Sequence, residues 1–289
     1  MDSPLQQDQW VPQDPGDITS IPNIEALDAA TFAALIPDVF AKLASRHRRS
    51  KFIDSFRELI RHRINEPPVI STLASILKQL DNSETHLNSV EAAIDCVAII
   101  PADQQLPFRP ALVHISELES GGRRLHYRTS ALALKAKDMI RFMDDPTAVW
   151  APQHKFDVMS LRTLEERVHT AEQMRPHVYE LLCWLQDANW PPFSYCVEHL
   201  ARFPEIAVGE IQTVIKKHRG EGDWILHMLE FVEQHVPMGP LWEGLSPQVQ
   251  ELTKDPVGDE EDWELPEYAA HWVEVLNEWK EERDVSAKG

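Results

Sequence analysis

A chain of 289 residues with 43% hydrophobic residues can form two ordinary domains with packed cores, which excludes global disorder. The net charge of −19 lies mainly in the second half, because residues 1–144 hold 16 Lys and Arg against 19 Asp and Glu, and the remainder holds 12 against 28. Such acidity opposes a general nucleic-acid surface on the second half and permits a basic protein partner.

The cysteines and the N-terminal stretch predict a cytoplasmic protein. Three cysteines without a C-x-x-C pair do not make a disulfide framework. The stretch MDSPLQQDQWVPQ has neither the basic start nor the apolar run of a signal peptide. The chain also lacks an uninterrupted apolar run of about 18 residues, so no membrane span is predicted.

Apolar residues recur at helical spacing along most of the chain, and no alternating run predicts a strand. Residues 1–9 are expected to be a disordered N-terminus. Stretches near residues 101–110, 119–125 and 237–263 are expected to lie outside the helices. Helices are predicted around 36–43, 51–61, 73–78, Val90 to Ile94 and 131–140 in the first half, and at 174–187, 191–203, 204–218, 223–235 and 265–282 in the second.

The phrase WVPQDPGDITS at residues 10–20 returns as WAPQHKFDVMS at residues 150–160. The predicted helices of the two halves follow in the same order at an offset near 140 residues. This predicts a duplicated helical unit, with a diverged first copy at 10–143, a second copy at 150–283 and a tail at 284–289. The expected fold is all-α, with tandem HEAT/armadillo-like helical-repeat units forming a curved superhelix.

Residues 181–191, LLCWLQDANWP, resemble the signature of domain-of-unknown-function family 5071. The resemblance extends from about residue 150 to residue 277. Other matching positions are Pro152, Lys155 and Asp157 ahead of the first helix, and Asp223 with Trp224 further on. Ile225 stands where the family has a lysine, which puts any role of that lysine in doubt. The resemblance implies a helical, HEAT-like fold and supplies no catalytic residues.

Trp150, Gln153 and Asp157 form the first candidate binding site. In a structural interpretation, Pro152 holds an extended segment, Trp150 anchors it, and either Asp157 or Ser160 caps the next helix. In a functional one, Gln153 and Asp157 form a polar notch beside the indole. Capping and anchoring explain these residue types without a ligand, which favours the structural interpretation.

A second candidate lies where two predicted helices meet. The residue before Pro191 is extended, so the chain turns there, and short polar side chains can bind the free backbone groups. The alternative is a binding edge, because Trp is enriched at interface anchors. The candidate residues are Trp184, Asp187, Asn189 and Trp190 at this corner, together with Asp223 and Trp224.

Two charged segments are further candidates. The first half carries Arg46, Arg48 and Arg49 at its equivalent corner. Such a cluster can bind phosphate or an acidic protein, or it can remain solvated or dock on the acidic second half. The run DPVGDEEDWELPE, residues 255–267, places seven acids around Trp263. This run is either an aromatic anchor for a basic partner or a solvated loop, and its like charges favour the solvated loop.

No catalytic motif or metal-ligand spacing is visible, so neither a cofactor nor a metal is expected, and the protein is predicted not to be an enzyme. The favoured hypothesis is a protein–protein interaction or scaffold module with a basic corner in the first half and an acidic second half. An alternative is an immunity or inhibitor protein that masks a basic toxin or nuclease. A helical-repeat enzyme acting on damaged bases is the third hypothesis, which the acidity opposes. The expected partner is a protein, and neither nucleic acid nor a membrane.

Overall fold

The computed structural model describes residues 24–43, 51–79, 84–118 and 127–286. Every regular element in these ranges is a helix, and no strand occurs among them, which confirms the predicted all-helical class. The chain divides into two compact units, with the boundary after Pro146. Within the same ranges, none of the helices combines the length and the apolar character needed to cross a bilayer.

The described part of the first unit contains seven α-helices. They are α1 (Ala29–Leu43), α2 (Lys51–Arg63), α3 (Pro67–Lys78), α4 (Glu84–Ala98), α5 (Ala102–Gln105), α6 (Arg109–Ser116) and α7 (Tyr127–Asp144). Helix α1 packs on α3 and α4, α3 packs on α4 and α6, and α7 packs on α4 and α6. The core of this unit therefore lies between helices that are close in sequence.

Three phenylalanines join α1 to α2. The Phe56 ring lies 5.9 Å from the Phe32 ring and 6.3 Å from the Phe40 ring, measured between centroids, and all three side chains are buried. The Arg63 guanidinium lies over Phe32 at 4.4 Å, and its Nε donates a 2.9 Å hydrogen bond to Glu66. Burying each ring stabilises the fold by about 1.5–3 kcal/mol.

The described part of the second unit contains eight α-helices. They are α8 (Val158–Arg167), α9 (Ala171–Met174), α10 (Val178–Cys183), α11 (Phe193–Ala201), α12 (Pro204–Lys217), α13 (Gly222–His235), α14 (Pro240–Leu252) and α15 (Leu265–Ser286). Helix α12 is central, because it packs on α10, α11, α13 and α14, and α15 closes the unit against α13 and α14. The stacked rings of Trp242 and Trp272, with centroids 4.3 Å apart, join α14 to α15.

Prolines and polar caps set where the helices begin. Pro67, Pro204 and Pro240 occupy the first turns of α3, α12 and α14, where a missing N–H leaves no helical bond unmade. Thr170 and Gln173 form a capping box at α9, in which each side chain accepts from the other residue's backbone N–H.

Three expectations about helix limits were wrong. The stretch 101–110, expected outside the helices, contains α5, a 3₁₀ turn at Leu106–Phe108 and the start of α6. Residues 174–187 do not form one helix, because a 3₁₀ turn at Arg175–His177 interrupts it at Pro176 and a second 3₁₀ turn follows at Trp184–Gln186. The apolar face predicted there is buried nonetheless, as Val178, Leu181 and Leu185 show. The stretch 237–263, expected outside the helices, contains α14. Its Gly and internal Pro residues obscured the helical pattern.

Candidate functional site

Asp157 anchors the extended segment that precedes α8. Its Oδ1 accepts a hydrogen bond from the backbone N–H of Ser160 at 2.9 Å, as a helix cap does. Its Oδ2 accepts from the Trp150 indole at 3.0 Å and from the Gln153 N–H at 3.2 Å. The Gln153 side chain donates to the carbonyl of Ala151 at 3.0 Å. These contacts support the structural interpretation of Asp157 as a cap and anchor. None of them supports a ligand-binding notch formed by Gln153 and Asp157.

The corner between α10 and α11 is held by tryptophans and a short polar loop. The Trp184 indole donates to the carbonyl of Pro152 at 2.8 Å, and its ring meets Trp190 edge to face at 5.2 Å between centroids. Asp187 Oδ1 accepts from the backbone N–H of Asn189 at 2.8 Å and from its side chain at 3.0 Å. The backbone bond is the main reason that the pKa of Asp187 lies below its usual value.

Trp224 belongs to the core, and Asp223 does not. The buried Trp224 indole donates to the carbonyl of Leu182 at 2.7 Å. Burial raises the pKa of Asp223, and the negative charges of Asp187 and Asp259 act in the same direction, while His227 opposes them. Asp223 therefore lies within electrostatic range of both the corner and the acidic run.

The acidic run is fixed to the fold by one buried carboxylate. We call residues 255–264 the acidic loop. Within it, Glu260 is 0% exposed and accepts hydrogen bonds from Arg219 Nε at 2.7 Å and Nη2 at 2.8 Å. It also accepts from the backbone N–H groups of Gly220 at 2.8 Å and Val257 at 3.0 Å. Burial alone would raise the pKa of Glu260, but these donors outweigh it and hold the pKa below its usual value.

Glycines let the acidic loop approach the segment before α13. Gly220 and Gly258 have φ of 97° and 61°, in the left-handed region that favours glycine. A Cβ placed on Gly258 would lie 2.3 Å from the Gly220 carbonyl oxygen, and one on Gly222 would lie 2.9 Å from the Cα of Glu260. The Gly222 N–H also donates to Asp259 Oδ1 at 2.6 Å. The two backbones therefore pack directly on one another.

The outer side of the acidic loop carries Trp263, which is 42% exposed, and the exposed acids Glu261, Asp262 and Glu264. The expectation of a solvated loop is wrong for Glu260, because its charge is buried and paired with Arg219. The sequence could not reveal this, since Glu260 stands among acids that do face solvent. The other charged candidates, Arg46, Arg48 and Arg49, lie outside the residues that the structure describes.

A contact that the sequence did not predict joins the two stretches on which the family resemblance depends. The Lys155 ammonium lies over the Trp190 ring, 5.1 Å from its centroid. With the bond from Trp184 to Pro152, this contact holds residues 152–155 against the corner. Lys155 and Trp190 are 35 residues apart, so no local sequence pattern predicts that they are in contact.

The second unit is thus an all-helical unit in which the indoles of Trp184 and Trp224 donate to backbone carbonyls and the acidic loop is fixed at Glu260. The model of the family described as Domain of unknown function (DUF5071) matches residues 150–273, which confirms the resemblance found in the sequence. Residues 150–273 are therefore similar to a DUF5071 domain. No curated protein and no solved structure matches the chain.

Proposed function

We propose that the chain is a protein–protein interaction module whose second unit binds a basic protein partner through the acidic loop. The observation that carries this proposal is the anchoring of Glu260, which fixes a loop that displays one large aromatic side chain and several carboxylates. A fixed loop loses little conformational entropy when a partner binds.

The chemistry of the displayed residues defines the partner. Glu261, Asp262 and Glu264 are exposed, and none of them forms an ion pair within the described residues. Neighbouring carboxylates repel one another, so lysines or arginines on a partner would relieve this repulsion and speed association. Trp263 supplies the kind of apolar anchor that dominates many interfaces. An acidic surface with a central tryptophan fits a basic protein better than a nucleic acid.

We also infer that the two units are diverged copies of one HEAT/armadillo-like helical unit. Helices α1, α3, α4, α6 and α7 match α10, α12, α13, α14 and α15 in order. The pairs α3–α6, α4–α7 and α6–α7 pack together in the first unit, as their counterparts do in the second. Both α3 and α12 begin at a proline, and Pro37 in α1 has its counterpart in Pro176. Such units present broad helical surfaces, which suits an interaction or scaffold role.

The test is affinity capture from native extract with the full chain, read by mass spectrometry at low and high salt. The loop variant carries Glu261→Lys, Asp262→Lys and Glu264→Lys. The matched control reverses three exposed acids of α15, Glu274, Glu278 and Glu281, and so has the same net charge. We expect a salt-sensitive basic partner that the loop variant loses and the control retains.

A single change, Trp263→Ala, separates the aromatic anchor from the charge. It should weaken capture of the same partner by about tenfold or more, because an interface hot spot contributes roughly 2 kcal/mol. Identical partners for all three variants and the unmodified chain would refute the proposed role of the acidic loop.

The same surface supports the second candidate, an inhibitor or immunity protein that covers a basic toxin or nuclease. The two functions differ in what happens to the partner. An inhibitor lowers the activity of the captured protein, and the loop variant restores that activity, whereas a scaffold leaves it unchanged. A helical-repeat enzyme acting on nucleic acid is less favoured, since the negative charges of Asp187 and Asp259 both act on Asp223.

A further inference from the structure

The ring of Trp190 is held in place by its neighbours. The Trp190 N–H donates to the carbonyl of Asp187 at 3.0 Å, and the Trp190 carbonyl accepts from the N–H of Phe193 at 3.0 Å. The Trp184 ring packs against it at a 73° angle and is itself tied to Pro152. Trp190 thus offers a fixed aromatic surface at a half-buried position.

A cation of the chain itself occupies this surface. The Lys155 ammonium lies 5.1 Å from the centre of the Trp190 ring, within the range of a cation–π contact. Asp187 stands in the same corner, and the charges of Lys155 and His227 add to the Asn189 hydrogen bonds that lower its pKa. The corner therefore combines an aromatic face with a carboxylate, the two groups that favour a basic side chain.

Lys155 is held only weakly. It is exposed, and no hydrogen bond or ion pair of its ammonium occurs within the described residues. An exposed cation–π contact contributes little, and ordering a long lysine side chain opposes it with a loss of rotamer entropy of similar size. A second cation can therefore displace Lys155 at small cost.

We propose that Trp190 and Asp187 form a receptor site for a lysine or arginine side chain of the basic partner, and that Lys155 fills this site in the free protein. This inference rests on the proposed function and names a second contact for the same partner. Asp223 lies within electrostatic range of both Asp187 and Asp259, so acidic charge extends from this site to the acidic loop.

The first experiment titrates the full chain with tetramethylammonium chloride, with sodium chloride at equal ionic strength as the reference, and follows the indole N–H signals by NMR. The signal of Trp190 is assigned from a Trp190→Phe variant. Lys155→Ala should tighten the apparent affinity reported by the Trp190 signal by about 2- to 5-fold, the value of one exposed cation–π contact. Asp187→Asn, which keeps an oxygen for the Asn189 bond, should weaken it.

Lys217→Ala is the matched control, because it removes the charge of another exposed lysine in the same unit. If Lys155→Ala and Lys217→Ala give the same Trp190 response, the receptor site is refuted. Loss of captured partner by the loop variant alongside that result leaves the proposed function standing without the receptor site. The opposite pair of results is tighter tetramethylammonium binding by Lys155→Ala together with unchanged partner capture by the loop variant. That outcome supports the receptor site and refutes the proposed function of the acidic loop.

Discussion

Replacing Glu260 with glutamine should release the acidic loop from the body of the second unit. The change keeps the size of the side chain but replaces one acceptor oxygen with an amide NH₂, which cannot accept the bonds now made to that oxygen. Four donors from Arg219, Gly220 and Val257 converge on the carboxylate, so at least one of them loses its partner. The variant also leaves the Arg219 charge without its counter-ion.

The size of the effect follows from burial. Hydrogen bonds to a charged group contribute about 1.5–3 kcal/mol. Breaking a fully buried ion pair costs about 3–5 kcal/mol, but the Arg219 side chain is 27% exposed and water can reach its guanidinium. We therefore expect local opening of the acidic loop to become easier by about 2–3 kcal/mol, equivalent to roughly 30- to 150-fold faster amide exchange.

Hydrogen exchange of the full chain, read by mass spectrometry, measures this change. Peptides covering residues 219–222 and 255–264 should exchange faster in Glu260→Gln, whereas peptides from the middle of α13 should change less. Glu261→Gln is the control, because Glu261 is an exposed neighbour of the same type. Equal exchange in the two variants would show that Glu260 does not hold the loop.

The pH dependence of hydrogen-exchange protection in the acidic loop tests independently whether the ionised Glu260 carboxylate stabilises the loop. The pKa of Glu260 is lowered on folding from an ordinary value of 4.5, so its stabilisation is present above that pH and is lost as the pH falls through the folded pKa. Protection of the loop should therefore decline in acid below about pH 4.5 in the unmodified chain. In Glu260→Gln this decline should be absent.

Two further perturbations test the packing of the second unit. Gly258→Ala should destabilise the fold by about 2 kcal/mol or more, because the φ of Gly258 is 61° and the new Cβ would lie 2.3 Å from the Gly220 carbonyl oxygen. Gly209→Ala in α12 should instead stabilise the fold by about 0.5–1 kcal/mol, because no atom lies within 4 Å of the new Cβ. Thermal unfolding measures both, and equal shifts would contradict the close approach of the two loops. Burial, and then the charge of Arg202, lowers the pKa of His199 to about 4, so this side chain should stay neutral at pH 5 in an NMR titration and stability should fall as the pH drops from about 6.5 towards 4. Protonation of His199 near pH 6.5 would contradict this.

The parts of the fold that the sequence predicts well are local. A cap ahead of α8 is recognisable because it needs only a short polar side chain just before an apolar pattern, and of the two candidates, Asp157 and Ser160, the structure gives this role to Asp157. The buried stripe of α10 was recognisable because Val178, Leu181 and Leu182 recur at helical spacing. The sequence does not predict the break at Pro176, because the apolar pattern continues across it and a proline is also tolerated near a helix start.

The parts that the sequence does not predict depend on pairs far apart in the chain. Arg219 and Glu260 are 41 residues apart, and nothing near Glu260 distinguishes it from the acids beside it. The close approach at Gly220 and Gly258 is likewise visible only in the structure, where both residues adopt left-handed backbone.

The tryptophans of the second unit divide according to what their indole N–H groups contact. Those of Trp150, Trp184 and Trp224 donate to a cap carboxylate or to backbone carbonyls, so these residues define the architecture and are poor candidates for a partner site. Ile225 also belongs to the core, because its side chain is fully buried at the position where the family resemblance implies a lysine. In the function that we propose, recognition depends instead on aromatic faces beside carboxylates that the fold leaves accessible, namely Trp190 with Asp187 and Trp263 in the acidic loop.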